Sequence, residues 1–349
     1  MTNPIETKTA CLLAEWAPQS GIQLTWPHAE TDWAYMLDEV QSCFLQLARE
    51  IARRQPLIIA TPNPEEVREQ LTAGQVNLAN VRLFQCPSND TWARDHGAIT
   101  LLDDDGPVLL DFKFNGWGLK FASDKDNLIT RHLIEAKALK GRYENHLNFV
   151  LEGGSIESDG EGTLLTTSEC LLSLNRNGEM TQAEIEHYLK DTFHVQQVLW
   201  LDHGYLAGDD TDSHIDTLVR LCPNHTMVYV QCTDPNDEHY EALRLMEEQL
   251  KTFRTLNGEP YRLLALPMAD AVFADGERLP ATYANFLIMN EAVLYPTYRQ
   301  PENDQRAKEV LQEAFPNYEI VGVDCCALIK QHGSLHCVTM QYPTGVISF

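Results

Sequence analysis

One pattern returns along the whole chain, and this repetition limits the fold more than any other feature. In each repeat an amphipathic helix is followed by an apolar strand, a polar turn and a two-stranded hairpin. Asp95 and Glu152, in two such turns, are 57 residues apart, and His214 follows Glu152 by 62. Cys337 lies a further 123 residues on, with a fourth repeat between. Repeats of this size predict modules packed around an axis, each offering one polar turn to a shared centre.

The hydrophobic periodicity predicts both helices and short strands. The helices are expected at residues 30–53, 65–71, 128–139, 183–193, 238–253 and 305–315. The strands are expected at residues 57–60, 81–84, 98–102, 108–112, 147–151, 155–158, 163–167, 198–201, 213–216, 227–231, 261–265, 283–289, 292–295, 319–323 and 335–340. No linker or low-complexity tract divides the sequence, which favours one closed domain over residues 1–349. The alternative is an α/β protein with a parallel sheet and coincidental spacing.

The charge balance limits the class of partner. The 349 residues hold 26 basic and 51 acidic side chains, so the net charge is −25, and the acids are spread along the whole length. Nucleic acids and anionic membranes are bound by basic surfaces, so neither is an expected partner. A small cationic substrate fits this balance better.

The cysteines and the apolar runs indicate a compartment. There are nine cysteines, an odd number, without the spacing of a disulfide framework. No apolar run approaches the roughly 20 residues that a membrane helix needs, and the N-terminus lacks the pattern of a secretory signal. We expect a reduced, cytoplasmic protein.

The nucleophile candidate lies near the end of the sequence. In residues 331–343 a histidine, His336, directly precedes Cys337, shortly after a glycine. A cysteine in such a turn is either a nucleophile, where its surroundings favour the thiolate, or a small core hydrophobe. The polar turns of the other repeats favour the nucleophile.

Four motifs carry a resemblance to a known family: Asn89-Asp90-Thr91-Trp92-Ala93-Arg94-Asp95, Leu151-Glu152-Gly153-Gly154, Asp212-Ser213-His214-Ile215-Asp216 and Gly333-Ser334-Leu335-His336-Cys337-Val338-Thr339. With them the chain resembles the agmatine deiminase and bacterial peptidylarginine-deiminase-like family of the guanidino-group-modifying, or pentein, superfamily. The resemblance implies an α/β propeller of five pseudo-symmetric ββαβ modules around a central active site. Many family members have glycine where Ser213 stands, and glycine-rich residues with an asparagine at 332–334.

The chemistry of guanidinium hydrolysis agrees with the residue types in these motifs. Two carboxylates, Asp95 and Asp216, are expected to hold the N–H groups of the substrate and aim its carbon at Cys337. In a strand, His214 and Asp216 would share one face. His214 is expected to protonate departing ammonia and then to deprotonate water. Glu152 is expected to orient the imidazole and stabilise its charged form.

Other interpretations of these residues remain open at this point. Asp95 can pair with Arg94 or cap a turn, Glu152 can be a solvated charge, and His214 can be an ordinary core histidine. Trp92 or Trp117 can stack on a planar cation, although both are also typical core aromatics.

Two histidines near the nucleophile, His332 and His336, invite a metal hypothesis. A structural zinc needs four ligands, and no second spaced cluster accompanies them. Residues 210–214 resemble a calcium loop, but Ile215 stands where glycine is required. We therefore expect neither metal nor cofactor.

The resemblance implies conversion of agmatine and water to N-carbamoylputrescine and ammonia, a step of putrescine biosynthesis, by a C–N hydrolase that acts on linear amidines. The alternatives are deimination of free or protein-bound arginine, amidino transfer, and non-catalytic binding of a guanidinium or polyamine. A homo-oligomer is compatible with the sequence. Acidic loop residues are expected to rim the mouth and to favour agmatine over arginine: Asp209, Asp210, Asp212, Asp270, Asp275 and Glu277.

Overall fold

The computed structural model describes residues 10–349, so residues 1–9 of the predicted domain 1–349 lie outside the described residues. The helices are α1 (Leu37–Ala52), α2 (Pro64–Ala73), α3 (Ala93–His96), α4 (Gly116–Leu119), α5 (Asp126–Glu135), α6 (Ser168–Leu171), α7 (Leu174–Asn177), α8 (Gln182–Phe193), α9 (Tyr240–Leu250) and α10 (Pro301–Ala314). Short 3-10 turns cover Ala34–Met36, Leu78–Asn80, Gly153–Ser155, Ile215–Thr217 and Leu328–Gln331.

The strands are short and numerous. They are β1 (Cys11–Leu12), β2 (Gln19–Thr25), β3 (Leu57–Thr61), β4 (Val81–Gln85), β5 (Ile99–Asp103), β6 (Gly106–Lys113), β7 (Arg142–Val150), β8 (Ile156–Ser158), β9 (Thr163–Thr167), β10 (Gln197–Leu201), β11 (Val219–Cys222), β12 (Thr226–Gln231), β13 (Arg262–Pro267), β14 (Phe273–Ala274), β15 (Glu277–Arg278), β16 (Leu287–Met289), β17 (Ala292–Thr297), β18 (Glu319–Asp324) and β19 (Thr339–Pro343). The α/β class predicted from the sequence is confirmed.

Five of the sheets share one connection pattern. In each, an antiparallel strand pair is extended by a strand that pairs in parallel and that the chain reaches through a helix. These sheets contain β5-β6-β7, β8-β9-β10, β11-β12-β13, β16-β17-β18 and β19-β2-β3. In the last sheet the C-terminal strand β19 pairs antiparallel with β2, which joins the two ends of the chain.

Local sequence explains several of these elements. In α1 the buried side chains Val40, Phe44, Leu47 and Ile51 recur at helical spacing and form one apolar face. Helix α8 begins at a capping box between Thr181 and Glu184, which satisfies backbone donors of its first turn.

The core lies on both faces of the sheet that contains β3, whose five residues are all buried. Leu57 and Ile59 pack into one apolar cluster, whereas Ile58 and Ala60 pack into the other. Successive side chains of a strand point to opposite faces, so this sheet separates the two clusters.

One predicted strand is replaced by a turn, and another begins later than expected. The residues expected as a strand at 213–216 lead into the 3-10 turn Ile215–Thr217, and the strand expected from residue 335 begins only at Thr339. Both segments give their backbone groups to local turns or to side chains instead of a strand ladder. Helix α1 likewise begins at Leu37 rather than at residue 30. Within residues 10–349, no helix has the length and apolarity to cross a bilayer.

Candidate active site

Cys337 lies in the turn before β19 and is 4 % exposed. Asn285, in the turn before β16, holds this turn from the neighbouring sheet. Its Oδ1 accepts the backbone N–H groups of His336, at 2.8 Å, and of Cys337, at 3.3 Å. Because Oδ1 is engaged in this way, Nδ2 faces the sulfur and donates to Sγ at 3.2 Å. A donor at this distance favours a thiolate over a thiol.

Asp95 lies in α3, and both of its oxygens accept hydrogen bonds. Oδ1 accepts the backbone N–H of Gly154 at 3.0 Å, and Oδ2 accepts the indole N–H of Trp117 at 2.9 Å. Trp117 has a positive φ of 54° between Gly116 and Gly118, a backbone conformation that orients its ring toward Asp95. Burial raises the pKa of Asp95 to about 6, although the nearby His214 lowers it.

His214 has no exposed surface, and its Nδ1 lies 3.7 Å from Oδ1 of Asp95. Among the described residues, neither of its ring nitrogens has a hydrogen-bond partner. Burial lowers the pKa of His214, but the charge of Asp95, together with Cys170 and Glu152, outweighs burial and raises the pKa to about 10. A buried imidazole with free ring nitrogens is suited to exchange protons with a bound substrate.

Asp216 is fully buried and lies between the nucleophile and His336. Its Oδ2 is 2.7 Å from Nδ1 of His336 and 3.9 Å from Sγ of Cys337. Its Oδ1 has no hydrogen-bond partner within the described part of the chain. Burial raises the pKa of Asp216, but the hydrogen bond and charge of His336 hold it below its ordinary value. Asp216 is therefore ionised with one oxygen free.

Glu152 is fully buried, as expected for a residue behind the site, but its direct partner is an arginine. Both of its oxygens accept from Nε of Arg176, at 2.9 and 3.1 Å. Nη1 of Arg176 donates to Asp212 at 2.5 Å. Glu152 lies within 4.8 Å of His214, as does the thiol of Cys170. In this structure Glu152 therefore acts on the imidazole of His214 through its charge at short range and not through a hydrogen bond.

Gly154, two residues after Glu152, lies at the centre where the turns meet. A Cβ at Gly154 would lie 2.7 Å from Nδ1 of His214, 2.8 Å from Oδ1 of Asp95 and 3.1 Å from Oδ2 of Asp216. A methyl group at this position would occupy the space between the polar side chains. The structure therefore brings together the residues that the sequence predicted from four separate turns.

A pocket with an empty volume of ≈ 380 Å³ reaches this centre from the surface. Its wall includes Cys337, Asp95, Trp92 and Trp117, whereas His214 lies deeper. Trp92 and Trp117 meet edge to face, with ring centroids 6.3 Å apart. Both tryptophans predicted to bind substrate therefore line the pocket.

Carboxylates line the outer part of the pocket. Asp32 is exposed and Asp90 and Asp210 are half-buried, whereas Cys337 and Asp95 are buried, so the acids lie toward the mouth. Burial and Asp209 raise the pKa of Asp210 to about 6.

The acidic rim differs from the one that we expected. Of the six acids that the sequence suggested, Asp210 lines the pocket. Asp209 accepts hydrogen bonds within its own loop, Asp212 pairs with Lys120 and Arg176, and Asp270 accepts from Asn303. Asp32 and Asp90 take their place because the turn at residues 28–34 packs beside the first motif.

Within residues 10–349, two groups of side chains have ligand atoms close enough to hold a metal ion. The first is Glu152, Cys170 and His214, within the site itself. The second is Glu15, Glu157 and His336. In the second group the guanidinium of Arg220 already bridges both carboxylates, at 2.7 Å to Glu15 and 2.5 Å to Glu157, and so occupies the place of a cation.

Sequence reasoning missed several residues that support the site. Asn285 is a single polar residue in an apolar run that the periodicity assigned to a strand, and its position after β13 was the only available signal. His336 was considered only as a metal ligand. Arg176 and Arg220 had no sequence signal, because their partners are between 24 and 205 residues away.

Comparison with known proteins agrees with this geometry. The sequence model of the Porphyromonas-type peptidyl-arginine deiminase family matches residues 11–343. A crystal structure from Porphyromonas gingivalis, provisionally assigned as an arginine deiminase, is 54% identical with a TM-score of 0.93 and covers 97% of this chain and 100% of its own. A cysteine-to-serine variant of C. jejuni agmatine deiminase with substrate bound is 36% identical with a TM-score of 0.91 and covers 99% of both chains.

A curated agmatine deiminase from Pseudomonas aeruginosa (strain LESB58) is 33% identical over 98% of this chain and 99% of its own. The resemblance that the four motifs indicated is confirmed. The chain belongs to the Porphyromonas-type peptidyl-arginine deiminase family.

Proposed function

We propose that this protein is an agmatine deiminase, a cofactor-free hydrolase that converts agmatine and water to N-carbamoylputrescine and ammonia. The observation that carries the proposal is the pocket with Cys337 and Asp95 at its inner end and Asp32, Asp90 and Asp210 toward its mouth. Agmatine has a guanidinium at one end and an ammonium at the other. The nucleophile matches the first, and the carboxylates at the mouth match the second.

The substrate itself activates the nucleophile. Burial, together with the carboxylates of Asp216 and Asp95, raises the pKa of Cys337 well above its ordinary value. A guanidinium between the two carboxylates offsets their charge and lowers the pKa of Cys337, so the thiol releases its proton to solvent as the cation binds. The amide N–H of Asn285 then stabilises the thiolate.

In the first half of the reaction, sulfur bonds to the guanidinium carbon while Asp95 and Asp216 hold the N–H groups. His214 donates its proton to the leaving nitrogen, and the C–N bond breaks to release ammonia. In the second half, neutral His214 accepts one proton from water as the water oxygen bonds to carbon. The C–S bond then breaks to restore the thiolate, and the second water proton leaves to solvent as the ureido carbonyl forms. Glu152 stabilises the charged form of His214 from behind.

The acids at the mouth also decide between substrates. Arginine carries an α-carboxylate that agmatine lacks, and the described wall of the pocket contains no lysine or arginine to pair with it. Like charges in a partly desolvated site cost several kcal/mol, enough for a preference of roughly 100-fold. We expect agmatine to be used more efficiently than free arginine by at least that order.

A second candidate, deimination of arginine, free or in peptides, is favoured by the similarity to the P. gingivalis structure. A turnover panel separates the two: agmatine, arginine, and N- and C-blocked arginine, with ammonia release and ureido product as readouts. Comparable efficiency for agmatine and arginine would contradict the agmatine assignment. Binding without ureido product would favour a guanidinium-binding protein instead.

We also infer the arrangement that brings the turns together, a single domain of five modules around a common axis, as in an α/β propeller. The shared connection pattern of five sheets and the pairing of β19 with β2 support it. Each of the five antiparallel strand pairs is preceded by a segment that contributes one polar residue to the centre, namely Asp95, Glu152, His214, Asn285 and Cys337. A reduced cytoplasmic setting and a homo-oligomeric state remain predictions from the sequence.

A further inference from the structure

The residue before the nucleophile has a role that the family motifs do not explain. His336 is 1 % exposed, and both of its ring nitrogens face carboxylates. Nδ1 lies 2.7 Å from Oδ2 of Asp216, and Nε2 lies 2.8 Å from Oε2 of Glu15. One ring thus connects a carboxylate of the active site with a carboxylate from the N-terminal segment.

Glu15 belongs to a buried group that we call the Arg220 cluster, composed of Arg220, Glu15 and Glu157. Arg220 is completely buried and bonds to both carboxylates and to the backbone oxygens of Ala284 and Phe286. Oε1 of Glu15 accepts from the backbone of Ile288 at 2.8 Å. The cluster therefore joins three sheets and gives His336 a rigid support.

The charged and titratable groups that face His336 set the direction of its hydrogen bonds. They are Asp216, Glu15, Arg220, Glu157, Arg94 and the thiol of Cys337. Ionised Asp216 can only accept, so Nδ1 carries the proton and donates to Oδ2. Nε2 meets either Oε2 of Glu15 as a donor or Nη2 of Arg220, at 3.2 Å, as an acceptor.

This hydrogen bond leaves the two oxygens of Asp216 in different states. Oδ2 is occupied by His336, whereas Oδ1 has no partner among the described residues. A carboxylate that is held at one oxygen cannot rotate freely, and its second oxygen keeps a constant direction. The unpaired oxygen keeps both of its lone pairs and is able to accept an N–H of a bound guanidinium.

We propose that His336 is a positioning residue: its Nδ1–H, supported by the Arg220 cluster, orients Asp216 and keeps Oδ1 free for the guanidinium N–H groups. His336 does not itself contact the reacting carbon. The inference rests on the proposed function, because it assigns a role within that reaction.

Two substitutions of His336 separate positioning from simple packing. The amide nitrogen of asparagine can take the place of Nδ1 and still donate to Asp216, whereas that of glutamine reaches toward Nε2 and Glu15. A hydrogen bond to a charged group contributes about 1.5–3 kcal/mol, so His336→Gln should lower kcat/KM for agmatine by roughly 10–100-fold. His336→Asn should lose less than His336→Gln.

The pH dependence of kcat/KM is a second readout, and a purely structural role of His336 in packing would not change it. Without the donor, burial raises the pKa of Asp216 toward that of Asp95, so Asp216 joins the groups that set the acidic limb of kcat/KM. That limb should become steeper and move upward in His336→Gln and stay in place in His336→Asn. The matched control is His239→Gln, because His239 is equally buried and lies 2.7 Å from Asp237 outside the pocket. It should change neither readout.

Equal losses in both His336 variants with an unmoved acidic limb would overturn the positioning role, as would full activity in both. If neither variant folds, Glu15→Gln provides the test, because of the two contacts of the His336 ring it weakens only that of Nε2 with Glu15 and leaves the Nδ1–H bond to Asp216 in place. It should move the same limb upward by a smaller amount, and an unmoved limb would overturn the proposal. If the wild-type protein does not turn over agmatine, the proposed function itself is contradicted. If the wild type is active but His336→Gln and His336→Asn lose the same amount of kcat/KM, only the role of His336 is contradicted.

Discussion

The interior holds two charged regions that are built in opposite ways. In the Arg220 cluster both carboxylates are paired with one guanidinium, which also bonds to two backbone oxygens. In the active site, both ring nitrogens of His214 and Oδ1 of Asp216 lack partners within residues 10–349. Buried polar groups are normally satisfied, so these unpaired atoms of the active site are available to hydrogen-bond a bound substrate. His336 lies between the two regions: it is bonded to Glu15 of the Arg220 cluster on one side and to Asp216 of the active site on the other.

The largest effect is expected from the nucleophile at the centre of the open region. Cys337→Ser should reduce turnover of agmatine at least about 1000-fold, because a hydroxyl is a far poorer nucleophile than a thiolate near neutral pH. Thermal unfolding should change little, since the two side chains are similar in size. Acid-quenched wild-type protein should carry a substrate-derived mass increase on the peptide that contains Cys337. Activity of more than a few per cent in the variant would contradict covalent catalysis.

Substitutions in the Arg220 cluster should lower the stability of the protein more than they change its chemistry. Arg220→Met leaves Glu15 and Glu157 as buried charges without their counter-ion, which should lower the free energy of unfolding by roughly 3–5 kcal/mol. Arg299→Met is the control, because Arg299 pairs with Asp324 while 76 % of its side chain is exposed; its loss should not exceed about 1 kcal/mol.

Arg220→Lys should lie between these two, since lysine keeps the charge but not the planar fork. Denaturant unfolding, monitored by tryptophan fluorescence, measures all three variants. Equal stability of Arg220→Met and Arg299→Met would mean that the cluster contributes no more than a surface ion pair.

The carboxylates of the active site should also make kcat/KM depend on pH. Burial raises the pKa values of Asp95 and Asp210 to about 6. Above that value both are carboxylates and attract the cation, and below it they become neutral, so kcat/KM should fall about tenfold per pH unit for each essential group. A profile of kcat/KM from acid to neutral pH measures this limb. A flat profile through pH 6 would show that the free enzyme does not need these charges.

A smaller effect is expected at the mouth of the pocket. Asp210→Asn should lower kcat/KM for agmatine several-fold, roughly the value of one partly screened charge, with less effect on arginine. Asp275→Asn removes the same charge from an exposed hairpin turn outside the pocket and is the matched control. Equal effects of the two substitutions would mean that net charge, rather than the acid at the mouth, attracts the substrate.

Chelation should have no effect on activity. The proposed reaction uses a thiolate, an imidazole and carboxylates, so activity should persist after treatment with EDTA. Loss of activity that one specific ion restores would favour a metal at Glu152, Cys170 and His214. Inhibition by added zinc would not, because a reactive thiol binds zinc in any case.

The amino-acid sequence by itself determined the α/β class, the approximate position of most helices and strands, and the candidate residues of the active site. Hydrophobic periodicity reflects which residues are buried locally, so it predicted α1, α8 and α10. The predicted ends of these helices differ from those in the structure. Cys337, His214, Glu152, Asp95 and Asp216 stand in turns at regular intervals, a signal that needs no knowledge of distant contacts.

Tertiary structure alone decided how these residues are held. The turn at Ile215–Thr217 replaces a predicted strand because side chains and local backbone groups satisfy it. Asn285 meets Cys337 across 52 residues of sequence, and His336 meets Glu15 across 321. Such contacts depend on which sheets become neighbours, and no local pattern of residues encodes that. Which acids line the mouth and which oxygen of Asp216 stays free follow from the same long-range packing.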